Sequence, residues 1–407
     1  MIRWINEQLG TGAFDKVPVG GYVVHDVREL VDKDGNKPET MRRLIDGIVA
    51  TLSSGKRTVV CCDYGISRSN SIAAAAWSLY CGMSFDEALS LVIQATGETN
   101  IKLEMVAAIR RALSGDCTQN PANILVTGAS GSVGKALLKK LHLDSVSVCP
   151  FYSTGGDLIR SNHELDASVI RKEIGTIVHL ANPRIYTSTA ALGESLNMLK
   201  NVLEVCRQHR IKLILPSAWE VFTGYESREL YVNEAMPMFP RGTYAESKML
   251  AERLVDHFID IYGLDCLKLR ICPVYGQGSE KPRFIHTFIK KALKNEEIVT
   301  HTYRNGDPHL ELLHVDDLST IMSKAIHNRL TGTYHIGGGS FLSTFEVANM
   351  IVRATESSSV VRKTEIDDFA PNIVLDDRKL LHLECFRNWK KRLFEESLPE
   401  LIELHRL

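Results

Sequence analysis

Apolar positions in the N-terminal part of the chain follow two different periods. The runs GYVVHDV (Gly21–Val27) and RTVVCC (Arg57–Cys62) are short and nearly continuous, which predicts buried β-strands. The segments that begin at Pro38, Asn70 and Ser84 instead carry apolar residues at helical spacing and predict α-helices. This part of the chain is therefore expected to form a small α/β unit.

The remainder of the chain shows a more regular alternation. The runs NILVTG (Asn123–Gly128), TIVHLA (Thr176–Ala181) and KLILPS (Lys212–Ser217) predict strands, and amphipathic helical segments separate them. Strands that alternate with helices in this way are typical of a doubly wound parallel sheet. We expect a Rossmann-type sheet with a C-terminal substrate lobe.

A polar stretch marks the boundary between the two parts. SGDCTQNPAN (Ser114–Asn123) contains Gly and Pro between a helical segment and a new apolar strand. We therefore predict two domains, residues 1–118 and 119–407. A chain of 407 residues with 44% hydrophobic residues has ample material for two cores.

Charge and cysteine content narrow the class of protein. The formal net charge is -1, so we expect neither nucleic acid nor a membrane surface as a partner. The N-terminal MIRWINEQLG lacks the apolar centre of a signal peptide, and no apolar stretch is long enough to span a membrane. Nine cysteines without disulfide-framework or zinc-site spacing predict a reduced, cytoplasmic enzyme with no metal site.

The sequence CDYGISR places Cys62 six residues before Arg68 at a predicted strand-to-helix turn. Gly65 permits the tight loop, and the backbone N–H groups of the loop and the first helical turn would point inward as an anion cradle. The Arg68 guanidinium suits two phosphate oxygens, and the same positive field would lower the pKa of the Cys62 thiol. The alternative is a buried cysteine beside a surface arginine, but the context favours a nucleophile.

Over roughly Trp4–Leu113, these features resemble the cysteine-dependent dual-specificity phosphatase family. The resemblance implies that Cys62 forms a phosphocysteine, that Arg68 binds the phosphate and that the hydroxyl of Ser69 assists the thiolate. Cys61 stands where this family usually has histidine. We therefore predict a dual-specificity-phosphatase-like domain that hydrolyses phosphomonoesters.

Phosphatases of this kind also need a general acid on a loop some thirty residues before the cysteine. VDKDGNKPET offers Asp32 and Asp34, and Asp32 has the better spacing. Asp26 lies within a predicted strand and is expected to be structural. Both candidates on the loop could equally belong to a solvated turn.

A glycine-rich turn opens the second domain. NILVTGASGSVGKALLKKL places Gly128, Gly131 and Gly134 between an apolar strand and an amphipathic helix. Glycines at such a turn permit the bend and the approach of a pyrophosphate to the helix N-terminus. This pattern predicts dinucleotide binding.

Further along, YAESK places Tyr244 and Lys248 four residues apart on one face of a predicted helix. A lysine in this position can lower the pKa of the tyrosine phenol, which would make the phenol an acid or base for a hydroxyl or carbonyl group. Their order after a glycine turn favours this chemistry over a chance pairing.

Together these motifs resemble the extended short-chain dehydrogenase/reductase family, the branch of nucleotide-sugar epimerases, dehydratases and reductases. The resemblance runs from about Ala122 to the C-terminus and includes IVHLAN, LRICPVYGQG, LLHVDDL and YHIGGG. It implies NAD or NADP, with Tyr244 and Lys248 as catalytic residues. The cofactor-binding residues that it implies are Gly128, Ser130, Gly131, Ser132, Val133, Gly134, Asp157, Leu158, Leu180, Ala181, Tyr244, Lys248 and Pro273.

Three departures from this family concern the substrate side. Ala218 stands at the usual catalytic hydroxyl position, so either Ser217 replaces it or the oxyanion support comes from elsewhere. Of the dehydratases' Asp-Glu pair only Glu220 remains, which argues against dehydration. Leu310 occupies the position of the arginine that usually grips a nucleotide diphosphate.

The sequence also bears on the choice between NAD and NADP. Ser153 and Thr154 occupy the region where an acidic residue normally binds the ribose of NAD, and the first acid is Asp157. No acid would repel a 2'-phosphate, although no obvious arginine would receive one. NADP is therefore slightly favoured.

The simplest hypothesis is a bifunctional enzyme that removes a phosphate and oxidises, reduces or epimerises a carbinol of a phosphorylated or nucleotide-linked sugar or polyol. One alternative is a protein phosphatase regulated by an NAD(P)-sensing domain. Another is an active reductase or epimerase whose N-terminal domain only binds phosphate. A homodimer is also possible.

Overall fold

The computed structural model describes residues 2–32, 36–113, 123–152, 157–183, 188–227, 229–279, 282–387 and 389–406. The chain divides into two compact units, residues 1–119 with 257–263, and residues 120–256 with 264–407. The candidate acid Asp34, the residues Ser153 and Thr154, and the predicted boundary up to residue 122 lie outside the described residues.

The described residues form strands and helices in the following order. The strands are β1 (Arg3–Trp4), β2 (Leu9–Ala13), β3 (Val23–Asp26), β4 (Thr58–Cys62), β5 (Asn123–Thr127), β6 (Val148–Phe151), β7 (Ile174–His179), β8 (Lys212–Ala218), β9 (Leu230–Val232), β10 (Cys266–Ile271), β11 (Val274–Tyr275), β12 (Ile298–Tyr303), β13 (His309–His314), β14 (Gly332–Ile336), β15 (Ser340–Ser343), β16 (Val361–Ile366) and β17 (Ile373–Leu375). The helices are α1 (Pro38–Ser53), α2 (Arg68–Cys81), α3 (Phe85–Thr96), α4 (Leu103–Leu113), α5 (Ser132–Leu143), α6 (Asp157–Arg160), α7 (His163–Arg171), α8 (Thr189–His209), α9 (Thr243–Tyr262), α10 (Arg283–Leu293), α11 (Val315–His327), α12 (Thr344–Ala354), α13 (Arg378–Leu381) and α14 (Phe394–Arg406). Among these helices, none has both the length and the apolar character needed to cross a membrane.

The N-terminal unit is built on a four-stranded sheet with the order β1-β2-β4-β3. β2 and β3 both run parallel to β4, while β1 pairs antiparallel to β2. Every residue of β4 is buried, as expected for a central strand between helices. Apolar side chains from α1, α2, α3 and α4 pack into one core with those of β2 and β4. The loop after β4 is therefore held by a rigid strand before it and a buried helix after it.

β2 was not expected from its sequence, LGTGA. The packing of the N-terminal residues against β2 explains Gly10, because a Cβ there would lie 2.8 Å from Ile2 Cγ2 and 2.9 Å from Trp4 Cε3. Gly12 in turn lies against the loop after β4, where a Cβ on Gly65 would approach the Gly12 carbonyl carbon to 2.5 Å. Close packing at Gly10 and Gly65 accompanies this strand, and apolar periodicity does not reveal it.

The C-terminal unit contains a six-stranded parallel sheet with the order β14-β10-β8-β7-β5-β6. The chain moves from β5 outward to β6 and then returns to the other side of β5 to form β7. Because parallel crossovers are right-handed, this reversal places the connecting helices on opposite faces of the sheet. The prediction of a doubly wound parallel sheet is confirmed. The reversal between β5 and β7 is also where open sheets of this type bind ligands.

The remaining strands of the C-terminal unit form smaller sheets outside the main one. β11, β13 and β15 form a three-stranded sheet, while β12 pairs with β16 and β9 pairs with β17. A second apolar cluster joins α10, α12 and α14 to these strands. These elements form the C-terminal lobe that the sequence predicted.

Candidate active sites

The glycine turn lies between β5 and α5, at the reversal of the sheet. Gly128 has φ of 66°, and a Cβ there would lie 2.6 Å from both the Ala181 nitrogen and the Leu180 carbonyl carbon. A Cβ on Gly134 would lie 2.4 Å from the Gly128 oxygen. Both glycines are therefore required by the packing of the protein itself.

Gly131 differs from its two neighbours in the motif. It is the N-cap of α5 in extended conformation, and a Cβ there would meet only the Gly128 oxygen at 3.4 Å. Since ordinary contact distance leaves room for a methyl group, internal packing does not demand glycine here. The absence of a side chain leaves the N-terminus of α5 open to a group that approaches from outside.

Leu180 and Ala181 follow β7 and are held against the turn by Thr127. The Ala181 nitrogen donates to Thr127 Oγ1 at 3.2 Å, and the Leu180 nitrogen donates to the Thr127 carbonyl at 3.3 Å. The Thr127 hydroxyl also lies 2.9 Å from His179 Nδ1. Burial, together with the charge of Lys248, lowers the pKa of His179 to about 3, so its imidazole is neutral. This neutral, hydrogen-bonded layer fixes the wall of the cleft.

The residues predicted to lie beside the adenine include the start of α6. Asp157 is its first residue, and the Leu158 carbonyl accepts a hydrogen bond of 2.9 Å from Asn201 Nδ2. Leu158 is buried. Its backbone is thereby anchored to α8.

The glycine turn, the uncapped N-terminus of α5 and the fixed Leu180–Ala181 wall fit the pyrophosphate of a dinucleotide. The turn residues Ser130, Ser132 and Val133 surround Gly131 in the same segment, and Ser132 is the first residue of α5. The main support for this fit is Gly131, because no internal contact requires glycine at that position. The residues predicted to bind the cofactor's phosphates are therefore compatible with NAD or NADP.

Tyr244 and Lys248 lie one turn apart near the start of α9. The Lys248 Nζ is 5.5 Å from the centroid of the Tyr244 ring. Burial lowers the pKa of Lys248, an effect opposed by the charges of Glu220 and Glu252. The two predicted catalytic side chains are therefore brought together in a desolvated environment.

The pKa of Tyr244 is shifted in the opposite direction from the one that we predicted. Burial, with a further contribution from the charge of Glu220, raises the pKa of the phenol above its usual value. The lysine was expected to lower it, but desolvation of the phenolate dominates the shift. In the protein alone Tyr244 is a protonated phenol, the form that donates a proton.

Glu220 is the third ionisable group of this site. It lies in a short 3-10 helix directly after β8, Trp219–Phe222. Burial raises the pKa of Glu220 from 4.5 to about 7, against the smaller opposing effects of a backbone hydrogen bond and of Lys248. Its carboxyl group is therefore partly protonated near neutral pH.

Ser217 has a different partner from the one expected of a catalytic hydroxyl. Its Oγ donates a 2.5 Å hydrogen bond to Glu252 Oε1, and the fully buried Glu252 also accepts 3.1 Å and 2.9 Å bonds from Arg270 Nε and Nη2. The pairing of Ser217 with Arg270 across β8 and β10 brings these groups together. This geometry gives Ser217 a place in a buried ionic network. Its catalytic role stays a prediction.

Glu252 was missed by the sequence reasoning. Its position four residues after Lys248 places it on the same face of α9, and that spacing was the available signal. Its buried partner Arg270 could not be identified from local sequence, because the pairing depends on the sheet.

The other two predicted positions are Pro273, which lies between β10 and β11, and Leu310, which lies within β13. Pro273 follows β10, and its carbonyl accepts a 3.0 Å hydrogen bond from the Leu313 nitrogen. Leu310 pairs with Leu342 across β13 and β15 and packs against the apolar cluster of the lobe. An apolar side chain thus occupies the position where the resemblance expects an arginine.

In the N-terminal unit, Cys62 ends β4 and Arg68 begins α2, so the intervening residues form a loop at the helix N-terminus. Gly65 has φ of 69°, and its N–H donates to the Cys62 sulfur at 3.2 Å. The Ser69 hydroxyl lies 3.3 Å from the same sulfur. These contacts place the predicted nucleophile and its supporting hydroxyl together.

The electrostatic surroundings of Cys62 favour the thiolate. Burial alone would raise the pKa of Cys62, but the Ser69 hydroxyl and backbone N–H groups of the loop more than offset it, so the pKa is lowered. The adjacent Cys61 shows the opposite effect, because burial and the charge of Cys62 raise its pKa to about 11. Two neighbouring thiols are therefore distinguished by the loop around one of them.

The segment that precedes the candidate acid Asp32 contacts Arg68 through its backbone. Arg68 Nη1 donates a 2.8 Å hydrogen bond to the Leu30 carbonyl, two residues before Asp32. Asp32 is exposed, and Asn36 bonds the backbone of Val31 beside it through both of its side-chain polar atoms at 2.8 Å. The acid's assignment stays a prediction.

Asp26 has the structural role that we expected of it. Its carboxylate accepts hydrogen bonds from Arg28, the shortest of which is 2.8 Å. Arg28 in turn stacks over Phe14 with its guanidinium carbon 3.5 Å from the ring centroid. This pair fixes the end of β3.

The sheet order, the glycine turn and the Tyr244–Lys248 pair define a dinucleotide-binding enzyme of the Rossmann class. Residues 124–337, more than half of the chain, match the profile of the NAD dependent epimerase/dehydratase family. The protein belongs to this family. The profile does not reach the loop of Cys62.

Known relatives agree with this assignment. The chain is 26% identical over 315 residues to a trifunctional UDP-glucose 4,6-dehydratase/UDP-4-keto-6-deoxy-D-glucose 3,5-epimerase/UDP-4-keto-L-rhamnose-reductase of Arabidopsis thaliana, covering 68% of this chain and 47% of the relative. The chain thus spans about half the length of that relative.

Solved structures share the fold. UDP-glucose 4-epimerase of Thermus thermophilus in complex with NAD superimposes with a TM-score of 0.60 at 20% identity, covering 70% of this chain and 99% of that chain. A dTDP-4-dehydrorhamnose reductase of Bacillus anthracis in complex with NADP gives a TM-score of 0.58 at 22% identity, covering 70% and 100%. At this level of identity the likeness establishes the fold.

Proposed function

We propose that the C-terminal unit catalyses NAD(P)-dependent epimerisation or reduction at a carbinol or carbonyl carbon of a nucleotide-linked or phosphorylated sugar. The observation that carries this proposal is the desolvated Tyr244–Lys248 pair, whose lysine acts on His179, the hydrogen-bond partner of Thr127 at the start of the glycine turn. The names of the relatives support a nucleotide-linked sugar as substrate. The apolar Leu310 implies that the diphosphate would be held differently than in family members with an arginine at that position.

The dinucleotide, when bound at the glycine turn, supplies a nicotinamide that accepts or donates a hydride. As a sugar carbonyl carbon is reduced, its oxygen would take the proton from Tyr244 Oη. The Lys248 ammonium, 5.5 Å from the phenol ring, would stabilise the phenolate that remains. Near neutral pH the protonated fraction of Glu220 adds a second O–H donor, a carboxylic acid, to the phenol of Tyr244.

The test uses the purified full-length protein and begins with ligands that it retains. Mass spectrometry of released ligands identifies the dinucleotide, and a tightly retained cofactor favours an epimerase over a reductase. Titrations with NAD and NADP then measure the preference, for which we expect NADP to bind somewhat more tightly.

Activity is measured on UDP-glucose and dTDP-glucose and their 4-keto derivatives, by nicotinamide absorbance and by product analysis. Tyr244→Phe should lose hydride transfer while retaining cofactor binding. Equal activity of wild type and Tyr244→Phe on a substrate that the wild type converts would refute the proposed mechanism.

We further propose that the N-terminal unit hydrolyses phosphomonoesters at Cys62. The observation in favour is the lowered pKa of a thiol that faces loop N–H groups and the Ser69 hydroxyl. The Cys62 thiolate would attack phosphorus and form an S–P bond while the P–O bond to the leaving group breaks. The leaving oxygen takes a proton from an acid, for which Asp32 is the candidate. Water then cleaves the S–P bond and releases inorganic phosphate.

Neighbouring thiols provide a matched control for this second proposal. Cys62→Ser should abolish phosphate release from p-nitrophenyl phosphate, whereas Cys61→Ser should retain it, because Cys61 lacks the contacts that favour a thiolate. If both variants lose turnover with the fold intact, the loss in Cys62→Ser does not identify Cys62 as the nucleophile. Unchanged turnover in Cys62→Ser would exclude Cys62 as the nucleophile.

Oxyanion binding separates the remaining alternatives for this unit. Phosphate binding without Cys62-dependent turnover would favour a non-catalytic phosphate-binding module. Phosphatase activity that responds to NADP while Tyr244→Phe changes no sugar reaction would favour a regulated protein phosphatase. Activity in both units favours the bifunctional enzyme.

A further inference from the structure

Asp63 directly follows the candidate nucleophile, and the phosphatase proposal gives it no role. Its carboxylate forms an ion pair with Arg68 Nη2, the guanidinium that would bind phosphate. The Arg68 side chain is 11% exposed, while that of Asp63 is 49% exposed. An acidic residue of the loop is therefore in direct contact with the arginine that would bind phosphate, and the acidic side chain is the more exposed of the two.

The second terminal nitrogen of Arg68 also has a protein partner. Nη1 donates to the Leu30 carbonyl at 2.8 Å, and the Arg28 carbonyl lies 3.5 Å away. A carbonyl is a neutral acceptor that can remain in place when an anion binds. A carboxylate carries the same charge as a phosphate and accepts from the same N–H fork, so Asp63 and a phosphate compete for Nη2.

We propose that Asp63 determines how tightly this loop binds phosphate. Its carboxylate holds Arg68 in the orientation that grips an anion, and an incoming phosphomonoester must displace it. The same competition weakens binding of the inorganic phosphate that is left after hydrolysis, which speeds product release. This inference rests on the phosphate-binding role proposed for the Cys62 loop, and its test distinguishes the two.

The surrounding charges support displacement of Asp63 as an available step. Arg28 lies within electrostatic reach of Asp63 and is bonded to Asp26, so a second guanidinium is near the displaced carboxylate. Asp26 also interacts electrostatically with Arg68, and Asp15 acts on Arg28. Because the Asp63 side chain is already half-exposed, it can move into solvent, and the ion pair that it gives up is weak.

The test compares Asp63→Asn with Glu29→Gln in the full-length protein. Glu29→Gln removes the same charge from the neighbouring loop, but the partner of Glu29 is Arg43, 2.6 Å away on the surface. Calorimetric titrations with inorganic phosphate and with sulfate measure anion affinity, and thermal unfolding confirms that both variants remain folded. Asp63→Asn should bind both anions about five- to tenfold more tightly, and Glu29→Gln should match wild type within about twofold.

Hydrolysis of p-nitrophenyl phosphate gives a second measurement. Asp63→Asn should lower KM and increase inhibition by inorganic phosphate, with no gain in kcat. Unchanged or weaker anion binding in Asp63→Asn would overturn the inference, and so would an equal gain in Glu29→Gln. If neither wild type nor Asp63→Asn binds an anion, the inference fails because the loop is not an anion site.

The two proposals fail separately. Cys62-dependent hydrolysis with an unaltered Asp63→Asn variant would leave the phosphatase proposal standing and remove this inference. Tighter anion binding by Asp63→Asn without any hydrolysis by wild type would support the inference and remove the phosphatase proposal.

Discussion

Replacing Gly131 or Gly134 by alanine should separate ligand binding from internal packing at the glycine turn. A Cβ on Gly134 would lie 2.4 Å from the Gly128 oxygen and 2.9 Å from the Ala129 Cα, so α5 must shift. A Cβ on Gly131 would meet only one atom, at 3.4 Å. The two substitutions add the same methyl group to the same turn with different consequences for the fold.

The expected magnitudes follow from these distances. Overpacking against backbone typically costs about 1–3 kcal/mol, so Gly134→Ala should lower the unfolding temperature by about 3–10 °C. Gly131→Ala should change stability by about 1 kcal/mol or less, because its extended backbone suits alanine and only a glycine N-cap is lost. If the pyrophosphate approaches Gly131, the added methyl group should weaken NAD(P) binding about 10- to 100-fold.

Thermal unfolding by circular dichroism and calorimetric titration with NAD and NADP measure the two effects independently. Gly47→Ala in α1 serves as a control, since a Cβ there would meet no atom within 4 Å. Cofactor binding by Gly131→Ala within threefold of wild type would refute the inference that the pyrophosphate contacts this residue. An unaltered unfolding temperature of Gly134→Ala would show that α5 adjusts without cost.

Three further predictions concern ionisable and hydroxyl groups. Because burial raises the pKa of Glu220 from 4.5 to about 7, the folded state binds more protons than the unfolded state in that range, and the free energy of unfolding falls as the pH rises through it. Glu220→Gln should remove this loss of about 3 kcal/mol, measured as the difference in unfolding free energy between low and neutral pH. Ser217→Ala should reduce hydride transfer less than Tyr244→Phe does; a silent Ser217→Ala would assign Ser217 to the Glu252 network alone. Asp32→Asn should remove the basic limb of the phosphatase pH profile, and an unchanged profile would exclude Asp32 as the acid.

The parts of the fold that the sequence predicted are those in which local pattern and long-range packing agree. α1 begins at Pro38 as expected, and Ser84 caps α3. The parallel sheet followed from apolar strands that alternate with helices, since both faces of its central strands are buried. Gly128 and Gly134 were recognisable because close packing requires glycine at their positions whatever the ligand is.

The features that local pattern did not reveal depend on how the folded chain brings groups together. Along β2, Gly10 leaves room for the side chains of Ile2 and Trp4, and Gly65 lets the loop after β4 lie against Gly12. The direction of the Tyr244 pKa shift follows from desolvation of the phenol, which residue spacing does not report. Asp63 faces Arg68 only because the loop folds back on itself, although the separation of five residues along the chain was visible in the sequence.

The missing hydroxyl at Ala218 limits what the sugar site can do. Strand alternation places Ser217 and Ala218 on opposite faces of β8, and the Ser217 hydroxyl is bonded to Glu252 beside Arg270. Turning Ser217 toward Tyr244 would leave a buried carboxylate without one of its donors, which is unfavourable. Glu220, one short turn beyond the strand, can supply a donor only while its carboxyl group is protonated. If Glu220 replaces the hydroxyl, proton donation to the substrate oxygen should weaken as the pH rises above about 7, and Glu220→Gln, whose amide donates at every pH, should flatten that dependence.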